Sequence, residues 1–230
     1  PELIICDEPT SALDQLVAED ILKLLKKLQD ELGLSYLFIT HDLGIVRKIA
    51  DRVCVMTKGQ IVETGATAEI FANPQHAYTK HLLAAEPKGE PPVSDASKPI
   101  IVETQDLKVW FPVKTGFFRK VTDHIKAVDG IDLTLKAGHT LGIVGESGSG
   151  KTTLGLAITR LIASRGRIAF VGRDIQGASF STMRPLRREM QIVFQDPYGS
   201  LSPRMSVGDI VGEGLSVHEP DIDDDTRDRL

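Results

Sequence analysis

Gly145-Glu146-Ser147-Gly148-Ser149-Gly150-Lys151-Thr152 satisfies the pattern G-x-x-x-x-G-K-[ST] at every fixed position. Glycine at 145, 148 and 150 lets the backbone turn tightly, so that successive N–H groups converge on phosphate oxygens at a helix N-terminus. Lys151 can then reach the β- and γ-phosphates of a nucleotide, the Thr152 hydroxyl can hold Mg²⁺, and Thr153 closes the nucleotide-binding set. A β-branched run before the motif and a helical run after it supply the context that a mere Gly/Ser turn lacks. A second candidate is Leu3-Ile4-Ile5-Cys6-Asp7-Glu8, an apolar strand ending in adjacent carboxylates. Asp7 can bind Mg²⁺ directly or through water, and Glu8 can orient the water that attacks a γ-phosphate. Acids at a strand end are, on their own, as readily a solvated turn.

The continuation Asp7-Glu8-Pro9-Thr10-Ser11-Ala12-Leu13-Asp14 resembles the ATP-binding-cassette (ABC) ATPases, in which the strand acids lead into a loop that faces the partner domain. Two further stretches agree. Phe38-Ile39-Thr40-His41-Asp42-Leu43 resembles that family's switch histidine, and Val193-Phe194-Gln195-Asp196-Pro197 resembles its Gln loop. The resemblance implies catalytic roles for Glu8, His41 and Gln195. It also implies Mg²⁺ contacts for Asp7, Thr152 and Gln195, ATP as the nucleotide, and an α/β P-loop NTPase fold with a RecA-like core. Gly65 followed by Ile70-Phe71-Ala72-Asn73-Pro74-Gln75-His76-Ala77-Tyr78-Thr79, and Gln195-Asp196-Pro197-Tyr198-Gly199-Ser200-Leu201-Ser202-Pro203-Arg204, look like dipeptide and oligopeptide importers. The stretch Phe111-Pro112-Val113-Lys114-Thr115-Gly116-Phe117-Phe118-Arg119 looks closest to the tandem ATP-binding subunits of microcin C and related peptide importers.

The elements that must position these residues follow from periodicity and punctuation. Strands are expected at Leu3 to Cys6, Tyr36 to Ile39 and Val53 to Thr57, the last turning through Gly59 into Gln60 to Thr64. Asp14 can cap a helix whose Ile21, Leu25, Leu28 and Leu32 recur at helical spacing, with Gly33 as its left-handed stop. Another helix is expected around Ala77 to Ala85. Further on, strands are expected at Lys108 to Val113, Ile131 to Leu135, Thr140 to Val144, Arg167 to Val171 and Gln191 to Phe194. The run from Lys88 to Pro99 is Pro-rich and nearly devoid of apolar residues, which reads as a surface linker.

The order of motifs differs from that of one cassette, where the phosphate loop comes first and the switch histidine last. Residues 1–87 therefore read as the C-terminal part of a first cassette, 88–105 as a linker and 106–230 as the N-terminal part of a second. Asp7, Glu8 and His41 would serve one site, and Lys151, Thr152 and Gln195 the other. No Leu-Ser-Gly-Gly-Gln signature occurs in the sequence, so an internal fragment is expected, binding nucleotide weakly or without turnover. A sharper expectation is that the two halves pack as a permuted composite core that brings Lys151 near Asp7.

Composition bounds the alternatives. The 230 residues carry 27 Lys+Arg against 32 Asp+Glu, a net charge of −5, with 41% apolar residues. That is ordinary globular composition without an apolar run long enough to span a bilayer. Cys6 and Cys54 lie in apolar β-like runs, where reduced, buried thiols are expected rather than a disulfide or metal site. A soluble ABC ATPase acting on nucleic acid or the ribosome is the second reading, but the acidic balance and isolated cysteines fit it poorly. The partners implied are ABC permease subunits in the inner membrane, a periplasmic peptide-binding protein acting indirectly, and the second cassette of the same protein, with no nucleic acid. The implied location is peripheral, on the cytoplasmic face of the inner membrane. Thr122 stands where counting would place the aromatic that stacks on adenine, so that role stays unassigned.

Overall fold

The computed structural model describes residues 1–11, 13–86, 89–90, 93, 95–219, 221 and 226. The chain forms two units, Pro1–Ser94 with Gly145–Gly148, and Asp95–Val144 with Ser149–Leu230. In the first unit, β1 (Leu3–Asp7) and β2 (Ser35–Ile39) pair in parallel from Leu3↔Ser35 to Asp7↔Ile39. The crossover between them is α1 (Gln15–Leu32). Asp14 caps it by accepting from the Val17 N–H at 3.1 Å, and Gly33 ends it at φ 65°. Ile21, Leu22, Leu25 and Leu28 turn inward, whereas Leu32 stays exposed. After α2 (Leu43–Ile49), β3 (Arg52–Thr57) and β4 (Gln60–Ala66) make the expected hairpin. Two short helices follow, α3 (Thr67–Ala72) and α4 (Ala77–Ala84). Glu63 fastens the start of α4 by accepting from the N–H groups of Gln75 and His76 at 2.8 and 3.0 Å.

The second unit is built on a long antiparallel hairpin, β5 (Ile100–Thr115) and β6 (Lys120–Lys136). With β7 (Arg165–Phe170) and β8 (Arg173–Asp174) it makes a sheet of order β6-β5-β7-β8. The helices are α5 (Lys151–Ile158), α6 (Phe180–Leu186), α7 (Pro197–Ser200) and α8 (Val207–His218). Leu107, Val109, Val128, Leu154, Ala157 and Ile168 belong to one buried cluster, so the helix that follows the glycine-rich loop is seated directly on the sheet. Buried Thr104 completes the ladder by donating its hydroxyl to the Ile131 carbonyl and accepting from the Leu133 N–H. Pro112, which has no N–H to give, lies beyond the part of β5 that β7 covers.

The mixed α/β class is as expected, but four local readings change. Strand β5 begins at Ile100, inside the stretch 88–105 assigned to the linker. Thr140 to Val144 forms no strand, and Leu141, Ile143 and Val144 are 47%, 47% and 94% exposed. A strand exists through its neighbour's ladder, and among the described residues no strand pairs with this segment. Among the described residues β1 and β2 pair only with each other, and no strand ladder links them to 140–144. Gln191 to Phe194 likewise lacks a ladder partner and stays irregular. Cys54 points to the exposed face of β3, within 3.2 Å of the Thr64 hydroxyl, rather than into a core. Ala12 of the loop after the strand acids, residues 87–88, 91–92 and 94 around the linker, and Pro220 with the acidic tail 222–225 and 227–230 lie outside the described residues.

Candidate functional site

Where β1 ends, its last ladder bond is donated by the Glu8 N–H to the Ile39 carbonyl at 2.9 Å. Glu8 then takes a left-handed conformation, φ 47°, which a side chain with a Cβ adopts at a cost. The Glu8 carbonyl accepts from both the N–H and the hydroxyl of Ser11, at 3.2 and 3.0 Å, and this tight turn holds the strained residue. The Glu8 carboxylate is thereby aimed at the loop after β2. One oxygen accepts from the His41 N–H at 3.1 Å and lies 2.7 Å from His41 Nδ1. The hydrogen bond and charge of Glu8 raise the His41 pKa above its ordinary value. A ring carrying its proton on Nδ1 donates it to Glu8. Asp7 is exposed at the strand end beside this pair. A cleft of about 490 Å³ opens next to it, lined among others by Glu8, Thr10, Ser11, His41, Asp42 and Lys48.

The loop over 145–150 is exposed, and α5 begins at Lys151 as the pattern requires. Helices α1, α2, α6 and α8 start with an Asp or Ser whose side chain accepts a first-turn N–H. Helix α5 starts instead from Gly150, with no side-chain cap. Main-chain N–H groups at the start of a helix are an ordinary site for an anion. Gly150 sits at φ 92°, and a Cβ there would fall 2.0 Å from the Ala127 carbonyl oxygen, so position 150 admits no other residue without displacing β6. Lys151 folds back so that its ammonium donates to the Ser149 hydroxyl at 3.3 Å. Thr152 is exposed and Thr153 half-buried. The preceding residues Gly145, Glu146, Ser147 and Gly148 group with the first unit, where the Ser147 N–H donates to Asp14 at 3.4 Å. Asp14 titrates lower than usual, chiefly through the Val17 N–H. Gln195 is exposed in the irregular segment before α7.

The structure thus joins Glu8 to His41 by hydrogen bond and sets Gly150, Lys151, Thr152 and Thr153 on one helix start. The clamp from the His41 main chain was not legible in the sequence, because a backbone N–H carries no residue signature. The α2 cap was signalled by Asp42 ahead of an apolar run, and Asp42 accepts from the Ile45 N–H at 3.1 Å. Thr152 and Gln195 in the second unit, and separately Asp7 in the first, carry oxygen atoms of the hard kind that Mg²⁺ prefers.

Residues 128–229 match the family described as ABC transporter. The chain is 67% identical over 228 residues to the Peptidoglycan transport ATP-binding protein YejF of Agrobacterium fabrum, covering 99% of this chain and 42% of that protein. It is 49% identical over 222 residues to the Uncharacterized ABC transporter ATP-binding protein YejF of Escherichia coli, covering 96% of this chain and 42% of that one. Identity to the Glutathione import ATP-binding protein GsiA of Salmonella paratyphi A is 43% over 245 residues, covering 95% of this chain and 39% of that protein. The chain therefore spans about two-fifths of the length of these curated relatives.

Proposed function

We propose that the chain carries ABC-transporter ATP-binding-domain sequence of the α/β P-loop NTPase class and belongs to an ATPase subunit that powers an importer of peptides. The observation that carries the reading is the start of α5 at Lys151, directly after the G-x-x-x-x-G-K-T loop's last glycine. Its N–H groups and the Lys151 ammonium bind the phosphates of ATP, and the packed seat of Leu154 and Ala157 keeps the helix in place. Thr152 and Gln195 would hold Mg²⁺ in one cassette's site and Asp7 in the other's, where the ion neutralises charge on phosphate oxygens. Glu8 aligns the attacking water. His41, held by Glu8, contacts the γ-phosphate.

The peptide class rests on the relatives, two of which are named for peptidoglycan transport and glutathione import. Residues 1–87, 88–105 and 106–230 are read as the end of one cassette, a linker and the start of the next. Among the described residues no helix is long and apolar enough to cross a membrane. Attachment to the cytoplasmic face of the inner membrane through permease subunits is part of the proposal, with a periplasmic peptide-binding protein contributing indirectly.

The test is titration calorimetry of Mg-ATP into the chain and into Lys151→Ala, with phosphate release followed in the same samples. Saturable binding that weakens roughly ten- to hundredfold in Lys151→Ala is expected, the loss of one charge-assisted phosphate contact. Release of phosphate by the 230-residue chain itself is not expected, because it carries no Leu-Ser-Gly-Gly-Gln signature. Equal binding by both proteins would overturn the assignment of the loop.

A further inference from the structure

The hairpin of β5 and β6 extends well past the sheet that anchors it. β7 pairs with β5 from Val102 to Lys108, whereas β5 and β6 remain paired out to Thr115↔Lys120. The outer half is thus a two-stranded arm. Its root is firm, because Val109 and Val128 are buried and Trp110 Nε1–H donates to Asp129 at 3.0 Å, with the Lys126 ammonium 4.6 Å from the Trp110 ring centroid. At the far end, Arg119 N–H donates to the Gly116 carbonyl at 3.1 Å across a tight turn. That turn presents Phe117 and Phe118 at 96% and 85% exposure, their rings edge to face at 5.6 Å. Val121, and Phe111 opposite Ile125, continue the exposed apolar material down the arm. Lys114, Arg119 and Lys120 bracket the rings, and no acid occurs between positions 114 and 122, in a chain whose net charge is −5.

We propose that the tip of this arm binds the surface of a membrane containing anionic phospholipid. Phe117 and Phe118 enter the boundary between headgroups and acyl chains, while Lys114, Arg119 and Lys120 meet the headgroup phosphates. The tip is a tight turn that holds both rings out into solvent, and a deformable bilayer accepts such a shape directly. A protein partner would have to supply a pocket for each ring together with an acidic rim. Because the rest of the chain is acidic, the attraction is confined to the cationic tip and weakens as salt rises. The inference stands on the arm alone and does not depend on the reading of the nucleotide site.

The test is flotation of the whole chain, without nucleotide, with vesicles of phosphatidylcholine containing phosphatidylglycerol and with vesicles of phosphatidylcholine alone. Binding to the anionic vesicles, falling with salt, is expected. The double variant Phe117→Ser/Phe118→Ser should bind at least about tenfold more weakly. Arg119→Gln/Lys120→Gln should weaken binding about tenfold or more and flatten the salt dependence. Phe118→Trp should bind like the parent, with an emission blue-shifted by anionic vesicles. Trp110, the sole tryptophan of the parent, reports that the serine variant keeps its fold. Undiminished binding by a folded serine variant, equal binding to both vesicle types, or a parent chain that ignores vesicles and is retained on an acidic protein surface would each overturn the proposal.

Discussion

The two units carry different halves of the proposed chemistry on different kinds of frame. In the second, strands β5 and β7 and helices α5 and α6 share one buried cluster in which Leu107, Ala157 and Ile168 are wholly inaccessible. In the first, buried residues are dispersed, and Leu3, Ile5, Leu37 and Ile39 of the parallel pair are 46–59% exposed. Parallel strands depend on cover over both faces, and here one face is largely open. The start of α5 is therefore fixed by packing. The Glu8–His41 pair is fixed by hydrogen bonds at a strained turn.

Four substitutions probe that contrast, in order of expected effect. Leu107→Ala should destabilise the second unit by about 2–5 kcal/mol in denaturant titration, the usual cost of a cavity in a closed core. Gly150→Ala should cost roughly 2–3 kcal/mol and weaken phosphate binding, because its methyl would collide with the Ala127 carbonyl and tilt the helix start. Glu8→Gln should bring the His41 titration, followed by imidazole NMR, back down toward its ordinary value. The sign follows from the raised folded-state pKa: the pair's contribution is complete below the unfolded value and disappears as pH rises through the higher folded one. Parent and Glu8→Gln should thus differ more in acid than in alkali. Ile5→Ala, on the open face, should change stability by no more than about 0.5 kcal/mol. A loss as large as that of Leu107→Ala would show that this face is covered.

Local devices were the legible part of the fold. Asp14 and Gly33 marked both ends of α1, Gly59 marked the β3–β4 hairpin, and the glycine-rich loop located α5. The long arm was hidden because register shifts interrupt β5 at several places, among them between Thr104 and Leu107 and between Val113 and Lys114. Each shift resets the alternation of faces, so the pattern broke into shorter apparent strands. Charged residues such as Lys120, Asp123 and Lys126 further masked β6. For Thr140 to Val144 the failure was of the opposite kind. Apolar, β-branched sequence states a propensity, but the ladder must come from a neighbouring strand, which the segment alone does not specify. At the proposed site, residue types pointed to Glu8, His41 and Lys151, whereas the main-chain clamp between Glu8 and His41 needed the fold.

The central claim is that phosphate is held by main-chain N–H groups at the start of α5, with Lys151. It is tested most directly by titrating isotopically labelled chain with pyrophosphate while following its amide NMR signals. Saturable shifts centred on residues 148–153, and lost in Lys151→Ala, are the predicted result. Shifts centred instead on the cleft between Glu8 and Lys48, or scattered over surface cations without saturation, would contradict it.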